Sequence, residues 1–129
     1  MLQRIKNLLL DKALYIAVLI TISIAVLSLV KFQAKTTISI PSSDKVLHGI
    51  AYYFLMTSWL YAFFQKEAFY KIVKYLILGC IIYGIVIEVL QGVVTSYRTA
   101  SFLDILANSG GIIVAVLTFH FFEKKILRI

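Results

Sequence analysis

Cysteine is nearly absent: Cys80 stands alone among 129 residues, so no internal disulfide can form and redox compartment is not legible from thiols. Its place in the middle of an apolar run makes it a buried, inert thiol. Charge is scarce too, at 15% of residues, which excludes disorder and argues against a soluble globule. The chain has 13 basic against 6 acidic residues, a net charge of +7, yet the basic residues form no interleaved patch of the kind that tracks phosphates. Nucleic acid is therefore not the expected partner. No H-E-x-x-H spacing, serine nucleophile elbow or phosphate-binding glycine loop is present. Nor is there an internal repeat, or a linker long enough to separate domains.

What is present is hydrocarbon-compatible sequence. Apolar residues make up 61% of the chain, above the roughly 45–50% of soluble domains, and the mean hydropathy is +0.94. Four blocks qualify by the roughly 17–25 residues of a membrane span: 13–30, 46–64, 72–94 and 102–122. The expected fold is an all-α integral membrane protein, a single domain over 1–129 built as a bundle of four transmembrane helices. The first block follows Arg4 and Lys6 as a signal peptide would, but it lacks an A-x-A-like cleavage site and outruns a signal core, so it reads as a retained helix.

Lysine and arginine set the orientation. The first 12 residues, the second loop and the C-terminal segment share one side and carry nine: Arg4, Lys6, Lys12, Lys66, Lys71, Lys74, Lys124, Lys125 and Arg128. The other side has four: Lys31, Lys35, Lys45 and Arg98. Both termini are expected in the cytoplasm, and "YRTASFLDILANSGG" at 97–111 faces outward.

That orientation brings the polar residues to one depth. Asp44, Lys45 and His48 open the second helix at the outer surface, and Asp104 and Asn108 open the fourth. At about 1.5 Å per residue, His48 and Asp104 lie about 5 Å below their helix starts, and Glu88 about 24 Å from the inner start of the third helix, in the outer third of a core roughly 30 Å thick. Asp44, His48 and Tyr52 follow at i, i+4, i+8. Asp104 and Asn108 are i, i+4, with Gly111 near the same line, and Glu88 and Gln91 are i, i+3, with Gly84 clearing space one turn earlier. The small residues of "ANSGG" permit close helix approach. A polar cavity enclosed by helices two, three and four keeps these charges out of lipid.

Each residue also has a structural explanation. Ser101-x-x-Asp104 fits a capping box, and an acid in the first turn suits the helix dipole. Ser43 or Asp44 can cap the second helix after Pro41. Lys45 can snorkel to the interface, Arg98 can meet lipid headgroups, and His48 can be a hydrogen-bonded packing residue. Glu88 is hardest to explain this way, since it sits within a span without an adjacent base. His120 reads as interfacial, and Asp11, Glu67 and Glu123 as members of ordinary cytoplasmic charge clusters.

The ordered set "DKVLHGIAYYFL", "GIVIEVLQ", an arginine and "DILANSGG" resembles the VanZ-like family of small bacterial membrane proteins over roughly residues 40–117. Asp44, Lys45, His48, Glu88, Gln91, Arg98, Asp104, Asn108 and Gly111 match the family's polar set. The family commonly carries a Pro-Gly turn before the arginine, where this chain has Ser96-Tyr97. The resemblance implies a multi-helix protein of the bacterial cytoplasmic (inner) membrane, in a family whose founding member is associated with low-level teicoplanin resistance.

Three functions follow as expectations. The leading one is recognition or handling of a lipid-linked cell-envelope component, with Lys45 and Arg98 on a phosphate or pyrophosphate, Tyr52 and Tyr97 flanking glycan or acyl groups, and Gln91 and Asn108 completing the binding set. The second is a membrane enzyme for phosphoryl or glycosyl transfer or hydrolysis, with His48, Asp44, Glu88 and Asp104 as acid–base groups. A divalent metal on the acids, His48 and Asn108 would be a variant, but no ligand spacing supports it. The third is a structural or partner-docking subunit. Transport would require oligomerisation. Membrane lipids, an envelope precursor, and a partner membrane protein or second copy are the expected partners; no cofactor is indicated.

Overall fold

The computed structural model describes residues 1–29, 43–64, 66–94 and 102–126. These are almost entirely helical: α1 (Leu2–Leu29), α2 (Ser43–Phe63), α3 (Phe69–Val94) and α4 (Phe102–Ile126). The only proline of the chain, Pro41, lies outside all four helices, so no ring interrupts a backbone hydrogen-bond ladder. At 28, 21, 26 and 25 residues the helices run about 42, 32, 39 and 38 Å.

Three stretches are long and apolar enough to cross a membrane: Asp11–Leu29, Phe69–Val93 and Phe102–Glu123. The sequence leads one to expect four. The exception is α2, which has the length but is diluted by Asp44, Lys45, His48, Thr57 and Ser58. Helix boundaries also run beyond the apolar blocks. α1 begins eleven residues before Ala13 because a helix continues through mixed sequence that a hydropathy reading stops at.

α2 and α3 are joined by a compact turn. The Lys66 amide donates to the Phe63 carbonyl at 3.0 Å and the Phe69 amide to Lys66 at 3.1 Å, so an otherwise open carbonyl at the end of α2 is satisfied and α3 starts back antiparallel. α2 packs most extensively on α4 and also touches α1 and α3; α1 and α4 make no close approach among the described residues. The core gathers Tyr52, Leu55, Met56 and Leu60 of α2 with Phe69 and Cys80 of α3 and Ile112 and Ala115 of α4. Cys80 is buried, as its position in the sequence leads one to expect.

Small residues and hydroxyls bring the helices together. Ala13 and Ala17 are the buried positions of α1. Trp59 Nε1 donates to Thr21 Oγ1 at 3.0 Å, Thr21 Oγ1 donates to the Ala17 carbonyl at 2.8 Å, and the Tyr83 hydroxyl donates to the Thr21 carbonyl, tying α1 to α2 and α3. Tyr53 Oη meets Thr118 Oγ1 at 3.1 Å across the α2–α4 seam. Large apolar side chains are exposed along every helix, as expected where lipid is the solvent.

Candidate functional site

The start of α2, the end of α3 and the start of α4 meet at one end of the bundle. Lys45 and His48, three residues apart on α2, both reach Asp104 in the first turn of α4: Lys45 Nζ lies 3.8 Å from Oδ1 and His48 Nε2 4.0 Å from Oδ2. These are ion-pair separations, longer than a direct hydrogen bond. The His48 and Asp104 side chains are each 11% exposed and that of Lys45 is 40% exposed, so the carboxylate is enclosed while the ammonium reaches the surface. Its first-turn position also places Asp104 at the positive end of the α4 dipole.

One turn deeper, Asn108 is buried, with its Nδ2 3.3 Å from where a Cβ on Gly84 would stand; the Tyr52 ring lies 3.2 Å from the same point. A glycine at 84 therefore lets the Tyr52 ring and the Asn108 amide press against the α3 backbone. Glu88, 1% exposed, follows one turn along α3 and lies within electrostatic reach of Tyr52. Buried Gln91 also reaches α1: its Nε2 donates to the Ser28 carbonyl at 2.8 Å.

The structure thus brings Lys45, His48, Tyr52, Glu88, Asp104 and Asn108 to this end of the bundle, where Gln91 also ties α3 to α1. Arg98 and Tyr97 lie outside the described residues; Asp44 sits in α2 one turn before His48, with its side chain outside the description. Among the described residues no group of three or more His, Cys, Asp or Glu could hold a metal. Among the described residues, the Tyr52 hydroxyl and the Oδ1 atoms of Asn108 and Asp104 are buried without a hydrogen-bond partner. Such atoms cost roughly 1–3 kcal/mol each in a dry interior. The cluster is therefore polar beyond what its own packing uses.

The seam below is glycine-made. A Cβ on Gly111 would fall on the Gly49 carbonyl oxygen, and one on Gly49 would lie 3.6 Å from the Ala107 carbonyl. Along the seam, Val46, Ile50, Phe54, Gly110 and Val114 line an apolar groove of about 490 Å³, Val46 being the residue after Lys45.

One acid departs from its expected place. Glu123 is not a solvated charge but is 4% exposed, accepting from the Tyr70 hydroxyl at 2.8 Å and contacting His120 Nδ1 at 3.3 Å. The i, i+3 spacing of His120 and Glu123 was the available signal; Tyr70, fifty residues earlier, carried none.

No protein-family model, no curated protein and no solved structure matches the chain.

Proposed function

We propose that the chain is a VanZ-like protein of the bacterial inner membrane, with α2 as a fourth span and both termini cytoplasmic, that recognises or handles a lipid-linked cell-envelope component at its extracytoplasmic end. The observation carrying this reading is the convergence of Lys45 and His48 on Asp104, beside buried Glu88 and Asn108, in a chain with three membrane-length apolar helices. Charged groups within a span are costly, and such groups mark binding or transfer sites more often than packing. The surface-reaching Lys45 ammonium suits a phosphate, and the groove beginning at Val46 offers a path for the attached hydrocarbon. α2 can cross the membrane despite its polarity because its polar face is turned to α3 and α4 rather than lipid.

A second reading has its own observation. An imidazole held 4.0 Å from a carboxylate is the start of a general acid–base pair, so a phosphoryl or glycosyl transferase or hydrolase fits the same end of the bundle.

The test is native mass spectrometry of protein extracted gently from its host membrane. Wild type should retain a lipid-linked phosphate species that Lys45→Gln and Asp104→Asn lose while remaining helical. His48→Gln retaining a substrate that wild type converts would select the enzyme. A wild type that retains no such lipid, with both variants folded and accompanied by the same partner protein, would move the assignment to a structural subunit.

A further inference from the structure

The opposite end of the molecule holds a second polar group that the reading above does not use. Tyr70 is the second residue of the span Phe69–Val93 and Glu123 the last of Phe102–Glu123, so both stand where the apolar stretches end, at headgroup depth. The Glu123 carboxylate is buried, and its contacts among the described residues, from Tyr70 Oη at 2.8 Å and His120 Nδ1 at 3.3 Å, both fall on Oε1. A cavity of about 240 Å³ adjoins it, walled by Leu60, Phe69, Val73, Val116 and Phe119. Access is open on the outer side, since Tyr70 is 71% exposed and the His120 side chain 61%.

A carboxylate in an apolar, aromatic cavity is costly alone and selects a cationic donor. Basic residues outnumber acids around it: Lys71 and Lys74 are exposed on the first turns of α3 and Lys125 is exposed with its ammonium 5.4 Å from the Phe121 ring centre, against one exposed acid, Glu67, in the turn before α3. A simple cation would be repelled by those lysines, and a simple anion by Glu123. A zwitterion with its ammonium inward and its phosphate outward satisfies both. We infer that the Glu123–Tyr70–His120 cavity binds the headgroup of a phospholipid bearing a primary ammonium, with the N–H groups donating to Glu123 and the phosphate lying toward Lys71 and Lys74. This site does not depend on which side of the membrane it occupies, nor on the function of the Lys45–Asp104 end.

The experiment is lipid retention by purified full-length protein in native mass spectrometry. The probes are phosphatidylethanolamine, its N-monomethyl and N,N-dimethyl forms, phosphatidylcholine and phosphatidylglycerol, all with the same acyl chains. Each methyl removes a donor, so retention should fall stepwise along the series; losing the charge-assisted hydrogen bond altogether corresponds to roughly tenfold. Glu123→Gln should abolish the preference for the primary ammonium and Tyr70→Phe should weaken it. Equal retention of the ethanolamine and choline lipids, stronger retention of phosphatidylglycerol, or an unchanged preference in folded Glu123→Gln would each overturn the inference. If Glu123→Gln does not fold, the methyl series on wild type still decides it. Retention of an envelope lipid at the other end is read separately, through Lys45→Gln and Asp104→Asn.

Discussion

Gly111 and Gly49 bring the backbones of α4 and α2 into direct apposition: a methyl group built on Gly111 would clash with the Gly49 carbonyl oxygen. Backbone cannot yield as a side-chain tip can. Gly111→Ala should therefore destabilise the protein by about 1–3 kcal/mol by forcing the helices apart. The neighbouring Gly110 has nothing within 4 Å of a Cβ, and Gly110→Ala should be neutral or stabilising, by up to about 1 kcal/mol, through helix propensity. Thermal unfolding of both variants in the same detergent checks the contrast, and equal behaviour would refute the close crossing.

The two side chains facing Asp104 should be unequal. Lys45 is 40% exposed, so a double-mutant cycle between Lys45→Gln and Asp104→Asn should give less than about 1 kcal/mol. His48 and Asp104 are both enclosed, so their cycle should give a larger coupling, within about 0.5–3 kcal/mol. Chemical unfolding of the four variants of each cycle measures both. A larger coupling for Lys45 would mean that the lysine, not the histidine, holds the carboxylate.

Gln91 is expected to act on stability. Its amide donates to the Ser28 carbonyl, and Gln91→Leu removes that buried hydrogen bond at a cost of about 1–3 kcal/mol. Retention of the envelope lipid per folded molecule should be unchanged. A folded, fully stable Gln91→Leu protein that loses its lipid would return Gln91 to the binding set.

Topology is testable with single cysteines. In a Cys80→Ser background, cysteines replacing Thr37 and Thr95 should react with a membrane-impermeant thiol reagent applied to intact cells, and one replacing Gln65 should not, since the proposed four-span topology puts nine of the thirteen basic residues on the latter side. The reverse pattern would place the Lys45–Asp104 cluster in the cytoplasm.

Much of the polar end was legible because helical spacing is rigid. His48 and Tyr52 at i, i+4, and Asp104 and Asn108 likewise, must share faces once the segments are helical. The Gly84 clearance followed from the same rule, and Tyr52 and Asn108 do press against it. Partner choice between helices was another matter. Every helix here is apolar on most of its circumference, so no single stripe announces the inward face. The tie from Gln91 to Ser28, the Trp59–Thr21 bond and the pairing of Tyr70 with Glu123 depend on helix rotation, which spacing within one helix does not set. For the same reason Glu123 reads from sequence as one more charge beside Lys124 and Lys125, although the fold encloses it.

The pairing of α2 with α4 has a consequence for biogenesis. Helices enter the membrane in the order they leave the ribosome, and α2, the one described helix without a membrane-length apolar stretch, emerges well before the helix that supplies Asp104. Until α4 follows, Lys45 and His48 lack their shared carboxylate and the seam at Gly49 lacks its opposite wall. With α2 as the proposed fourth span, its settlement is thus a late event, and a nascent chain halted before Phe102 would present to lipid the polar face that α4 covers.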